Sequence, residues 1–101
     1  MRINHYGLLI VNSEARIGEW CDIHQGVNIG TGIEPNSVPH IGSNVWIGPG
    51  AKIYGKIEIG DNTMIGANSV VTKSFVQGNC RIAGAPARVI SEEANVYMRS
   101  Y

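Results

Sequence analysis

Three histidines, His5, His24 and His40, are the side chains best suited to moving a proton at neutral pH, because an unperturbed imidazole titrates close to it. Taken singly, each also has a plain reading: His5 as an incidental residue near a terminus, His24 as a surface histidine, His40 as part of a loop. A second chemical signal lies further along. Between Asp61 and Glu92 the chain holds no acidic residue, yet it carries Lys73, Arg81 and Arg88. A local positive cluster in a chain of zero formal net charge suits a phosphate-rich ligand, since charge-assisted contacts to phosphate are strong. A solvated basic edge would look the same. Cys21 and Cys80 have no metal-ligand spacing, and no metal is expected.

These residues have to be positioned by something, and the stretch "VWIGPGAKIYGKIEIGDNTMIGANSVV" shows what. Ile47, Ile53, Ile59, Ile65 and Val71 recur every six positions, a period that neither an α-helix nor a simple alternating strand requires. Counting back gives Ile41 and then, beyond an interruption, Ile29, Ile23, Ile17 and Val11 in the same phase. With the aliphatic residue as the first position of a hexad, the fifth positions are Ala15, Cys21, Val27, Ile33, Val45, Ala51, Ile57, Thr63, Ser69 and Phe75, mostly small or β-branched. Both positions should point inward. Each hexad makes a short strand, three strands turn a coil of about 18 residues, and coils stack as a parallel β-helix. Glycines at second positions, such as Gly42, Gly48 and Gly66, suit corners that need unusual backbone angles or close approach, and Asn44, Asp61 and Asn62 tolerate tight turns.

The pattern predicts one domain over 1–90, with an eleventh hexad beginning at His5 by strict extrapolation, and a polar helix or tail over 91–101. It is interrupted by "GTGIEPNSVPH", read as a loop excursion over 31–40 because Pro35 and Pro39 would otherwise fill inward positions. A three-sided prism with outward Trp20 and Trp46, built from only 101 residues, invites packing into a closed homotrimer. Eight basic and eight acidic residues cancel, so no global field argues for nucleic acid or a membrane surface. Without an apolar run of about 20 residues the chain is expected to avoid membrane insertion and to be cytoplasmic.

The hexads, ending in "GANSVVTKSF" and "RIAGAPARVI", resemble the hexapeptide-repeat acyltransferases, whose fold is a left-handed parallel β-helix. Over residues 3 to 90 the chain is similar to the catalytic domain of serine O-acetyltransferases and to relatives that acetylate polysaccharide or sugar hydroxyls. The resemblance implies an acetyl-CoA-dependent O-acetyltransferase acting on a hydroxyl of a saccharide or small metabolite. The alternatives are a serine O-acetyltransferase and a non-catalytic β-helical assembly module. A γ-type carbonic anhydrase shares the coil, but its pair of histidines five residues apart is missing here.

The same resemblance assigns roles. His5 in "NHYG" matches the family's catalytic histidine, while Asn4 stands where serine-specific relatives carry an acidic residue. The aspartate that such enzymes place roughly fifteen residues before the histidine has no counterpart, and Glu14 and Glu19 lie at outward positions. His24, nineteen residues after His5, would lie on the same face one coil on and support the site; "HQGV" with Gln25 tilts the reading toward a sugar acceptor. His40 is the loop's histidine and a candidate for acceptor binding, as are Asn4 and Gln25. The pantetheine arm of the coenzyme would run past backbone groups near Gly48, Gly50, Ala51 and Ala67, with Lys73 and Arg88 meeting its phosphates. Acyl-transfer sites would lie between adjacent subunits of the trimer.

Overall fold

The computed structural model describes residues 2–3, 10–32 and 37–92. Their strands assemble into a three-sided parallel β-helix, as the hexads predict, and it is left-handed, as the family resemblance implies. One face stacks Arg2–Ile3, Asp22–Ile23, Trp46–Ile47, Met64–Ile65 and Arg81–Gly84. A second stacks Ile10–Val11, Asn28–Gly30, Lys52–Tyr54 and Val70–Val71, and a third stacks Arg16–Ile17, His40–Ile41 and Glu58–Ile59. Register aligns each first-position residue with its counterpart in the next coil: Ile23 with Ile47 and Ile65, Ile29 with Ile53 and Val71, Ile41 with Ile59.

These columns fill the prism. Ile23, Ile29, Ile47, Ile53, Ile65 and Val71 are wholly buried, as are the fifth-position residues Cys21, Val45 and Ala51. Thr63 and Ser69 occupy the same inward position without leaving an unmet hydroxyl. Thr63 Oγ1 donates to the Gly60 carbonyl at 2.8 Å and Ser69 Oγ to that of Gly66 at 2.7 Å, so a polar atom is carried into the core already paired.

The interruption keeps the phase because of its length. Ile17 faces Ile41 and Ile23 faces Ile47, one hexad more than a coil of 18 residues, whereas Ile41 faces Ile59 at the regular spacing. The excursion is therefore narrower than 31–40. Gly32 N–H donates to the Ser37 carbonyl at 2.9 Å and to Ser37 Oγ at 3.1 Å, which closes its base; residues 33–36 lie outside the described residues. Ser37, Val38 and Pro39 are already buried. Pro39 does occupy an inward fifth position. It is tolerated because the ladder there uses only the carbonyl: Arg16 N–H donates to Pro39 O at 3.1 Å, and the next ladder donor is the N–H of His40.

Second-position glycines answer to close approach between coils, not to backbone angle. A Cβ on Gly48 would lie 2.7 Å from the Ala67 nitrogen. Left-handed angles fall at the fourth position instead, at Gly26, Gly50, Asn44, Asn62 and Asn68 and, less expectedly for a bulky residue, at Trp20 with φ of 63°.

The hexad phase fails at both ends. Ile3, not His5, stands in register with Ile23, so strict extrapolation of the hexads to His5 does not hold. After Val71, Phe75 bridges to Ile59, taking a first-position rung where the count had it in a fifth, and Ile82 meets Ile65 one residue early for a full coil. The chain then turns back as an antiparallel hairpin, Arg81–Gly84 against Ala87–Ser91, with a cis Ala85–Pro86 bond in the turn. Ser91, which opened the expected C-terminal helix or tail, thus ends a strand. Residues 93–101 of that segment lie outside the described residues.

Candidate active site

The corner joining the first face to the second brings several of the singled-out residues together. Three turns stack there: His24-Gln25-Gly26, Gly48-Pro49-Gly50 and Gly66-Ala67-Asn68. Gly50 N–H donates to the Gln25 carbonyl at 3.0 Å and Asn68 N–H to that of Pro49 at 2.9 Å, tying the turns into a column. His24 and Gln25 therefore share one edge with Gly48, Gly50, Ala51 and Ala67.

The backbone donors along this edge are largely committed. Gly48 N–H donates to Ile65 O at 2.9 Å, Gly50 N–H to Gln25 O, and Ala51 N–H to Gly48 O at 3.2 Å. A ligand running past these three residues would have to use their carbonyls, and an oxyanion could not be held by their amides. Ala67 is exposed on the rung above Pro49.

His24 is half-buried, and two contacts with the next coil hold it. Its Nδ1 lies 2.9 Å from Ile47 O, and its ring packs on that of Trp46 with centroids 4.8 Å apart and planes inclined by 53°. Trp46 was expected to serve a subunit interface; within the chain it is a wall for the histidine. Beside it, opposite Trp46 in the ladder, is Asp22, only 6% exposed. Sequence reasoning passed over Asp22 because a polar residue at an outward position raises no flag.

Lys73 and Arg88 also come together. With Thr72, Gly84, Ala85, Pro86 and Ala87 they line a cavity of about 550 Å³ under the hairpin turn. Lys73 Nζ additionally sits 5.6 Å from the Phe75 ring centroid. Arg81 is separate: it lies on the first face, in register with Met64, and its buried Nε has no partner among the described residues.

His40 is elsewhere. It is exposed on the third face, in register with Arg16 and Glu58, at a cavity of about 210 Å³ shared with Ile41, Gly42, Ile59, Gly60 and Val76. Within one chain it does not join the His24 corner. His5 and Asn4 lie outside the described residues. Glu14 and Glu19 are exposed, as their outward positions predict.

Neither cysteine is placed as a nucleophile. Cys21 is in the core, its Sγ 3.1 Å from the Gly42 carbonyl. Cys80 is buried, and burial pushes its thiol pKa above the ordinary value, with the Glu92 charge adding to the rise and a hydrogen bond with Thr63 opposing it. It borders a cavity of about 560 Å³ with Phe75, Val76, Asn79, Val89 and Glu92 that the sequence did not signal. Among the described residues no group of three His, Cys, Asp or Glu is arranged to hold a metal ion, and no helix is long and apolar enough to cross a membrane.

Known proteins match both sequence and shape. A profile of the bacterial transferase hexapeptide family (six repeats) matches residues 39–73. The serine acetyltransferase of Synechococcus elongatus is 41% identical over 90 residues, 87% of this chain and 36% of that protein. That of Staphylococcus xylosus is 40% identical over 93 residues, 90% of this chain and 43% of that one. The crystal structure of Brucella abortus serine acetyltransferase in complex with coenzyme A superposes with a TM-score of 0.85 at 37% identity, covering 91% of this chain and 37% of that one. The chain thus spans well under half the length of these relatives.

Proposed function

The chain belongs to the hexapeptide-repeat transferases, and from that premise we propose that it is the acyl-transfer β-helix of an acetyl-CoA-dependent O-acetyltransferase whose acceptor is serine. The observation that carries the reading is the shared edge: His24 and Gln25 stack in one column with the Gly48–Ala51 and Ala67 turns, while Lys73 and Arg88 line one cavity near the hairpin. Extended thioester, phosphates and acceptor all need places on a small protein, and these two features offer them. Serine is preferred to the saccharide that "HQGV" suggested because the relatives that match most of this chain are named for serine.

In this proposal His5 is the general base. It takes the proton of the serine hydroxyl as that oxygen attacks the thioester carbonyl; the carbon–sulfur bond then breaks, and the imidazolium returns the proton to the departing thiolate. The amides of Gly48, Gly50 and Ala51 are engaged in the coil, so oxyanion stabilisation falls to other donors. The protein works as a soluble cytoplasmic homotrimer with sites between adjacent subunits, which would let the third-face His40 of one copy approach the His24 corner of the next.

The reading is tested by following thiol release from acetyl-CoA with serine, homoserine and sugar acceptors. Serine-dependent release is the expected result. Coenzyme A binding without transfer to any of them would make the chain a non-catalytic module. Sedimentation equilibrium should give about three times the 10.9 kDa chain mass, and a monomer insensitive to dilution would rule out the shared site.

A further inference from the structure

One inward column of the prism runs out at a cavity. Met64 N–H donates to Cys80 O at 2.9 Å just as Trp46 N–H donates to Thr63 O at 3.0 Å and Asp22 N–H to Val45 O at 3.0 Å, so Val45, Thr63 and Cys80 are successive rungs. Thr63 is wholly buried. Cys80, the last of them, borders the cavity of about 560 Å³ together with Phe75, the last described rung of the third face. Two of its other walls, Val76 and Val89, are 63% and 45% exposed. An apolar hollow of this kind at the end of a stack of repeats calls for a terminal element that is apolar inside and polar outside.

The chain itself continues from the rim. Glu92 lines the cavity, so residues 93–101, "EANVYMRSY", need no linker to reach it. At about 100° per residue, Ala94, Tyr97, Met98 and Tyr101 fall at i, i+3, i+4 and i+7 on one helical stripe. Glu93, Asn95, Arg99 and Ser100 fall on the other side, with Val96 the exception among them. Nine residues are too few for a helix to hold by itself in water, so this stripe requires an apolar surface to lie on.

We propose that residues 93–101 form a short helix that docks on this cavity, with Tyr97 and Met98 against Val76 and Val89 and the polar side toward solvent. The helix closes the end of the prism and covers Cys80. The match is of two complementary surfaces: a hollow with exposed apolar walls, and an apolar stripe that starts two residues beyond its rim.

Two measurements on the full chain test this without reference to activity. The first is the native-state reaction of Cys80 with an aromatic disulfide, located by mass spectrometry so that Cys21 does not interfere. Met98→Asp and Tyr97→Asp should each speed it about tenfold or more, the scale on which one lost buried apolar side chain favours opening. Asn95→Asp, on the polar side with the same added charge, should leave the rate unchanged. Equal rates in all three variants and wild type, or an equal rise in all three, would overturn the proposal. The second is amide hydrogen exchange. Residues 94–101 should exchange at least about tenfold more slowly than in the free peptide, and Val76→Glu on the cavity wall should remove that protection while the β-helix stays protected. A wild-type segment that exchanges like the peptide would overturn the proposal, as would protection indifferent to Val76→Glu. Protection that grows with protein concentration would give the cavity to a second copy of the chain and overturn it as well.

Discussion

Asn44 donates through Nδ2 to Oδ1 of Asn62 at 2.7 Å, and Asn62 donates in the same way to Asn79 at 3.0 Å. All three residues hold left-handed backbone angles, so one side chain per coil both tolerates the turn and bonds to the next. Asn62, in the middle, makes both bonds. Asn62→Ala should cost about 2–4 kcal/mol, combining a left-handed penalty of roughly 1 kcal/mol with two net hydrogen bonds of about 1 kcal/mol each. Asn62→Gly should cost less because it avoids the angle penalty. Urea denaturation of the two variants would check the order, and equal losses would mean that the backbone angle contributes nothing.

The fold was legible because inward positions tolerate so few residue types. A buried rung accepts Ile or Val, and the six-residue step followed directly. What broke the count was geometry that leaves no trace in residue type. The 18-residue rule would set Gly42 above His24, but the extra hexad ahead of Ile41 sets Gly48 there and brings Trp46 onto the ring. Pro39 misled for a related reason: proline is excluded from ladder donors, and the fifth position donates nothing to the ladder. Lys73 and Arg88 were visible as charges, but that they face one cavity depends on the hairpin reversing direction after Gly84.

That cavity carries the second prediction. If Lys73 or Arg88 meets the 3′-phosphate of coenzyme A, removing it should weaken coenzyme A but not dephospho-coenzyme A. Both side chains are exposed, so screening holds the effect to about 1 kcal/mol, roughly fivefold in Kd. Isothermal titration of Lys73→Ala and Arg88→Ala with the two ligands gives the comparison. Equal losses for both would place the cations away from that phosphate.

Cys80 makes a pH-dependent prediction. Burial raises its thiol above the ordinary value of 9.0, so the folded state holds the proton more tightly than the unfolded chain does. The stability this contributes is complete below pH 9.0 and is lost as pH rises through the higher folded pKa. Thermal melts from pH 7 to 10 should show a decline at the alkaline end that Cys80→Ala flattens. The thiol should also react with an aromatic disulfide far more slowly in the native protein than in urea. An identical alkaline decline in Cys80→Ala would assign the effect to other groups.

The catalytic prediction concerns His5. It rests on the "NHYG" match and on the Arg2–Ile3 strand that pairs with Asp22–Ile23. His24 Nδ1 is 2.9 Å from the Ile47 carbonyl oxygen, and His40 sits on a different face of the same chain. A general base contributes about 10²–10⁴-fold to the rate without contributing to coenzyme affinity. His5→Ala should therefore leave the trimer and the Kd for coenzyme A close to wild type while acetyl transfer to serine falls by a factor in that range. The loss should appear in kcat and in kcat/KM together, because the proton moves only in the transition state. Wild-type turnover in His5→Ala would show that the proton leaves serine by another route, and His40 of an adjacent subunit would be the next imidazole to replace.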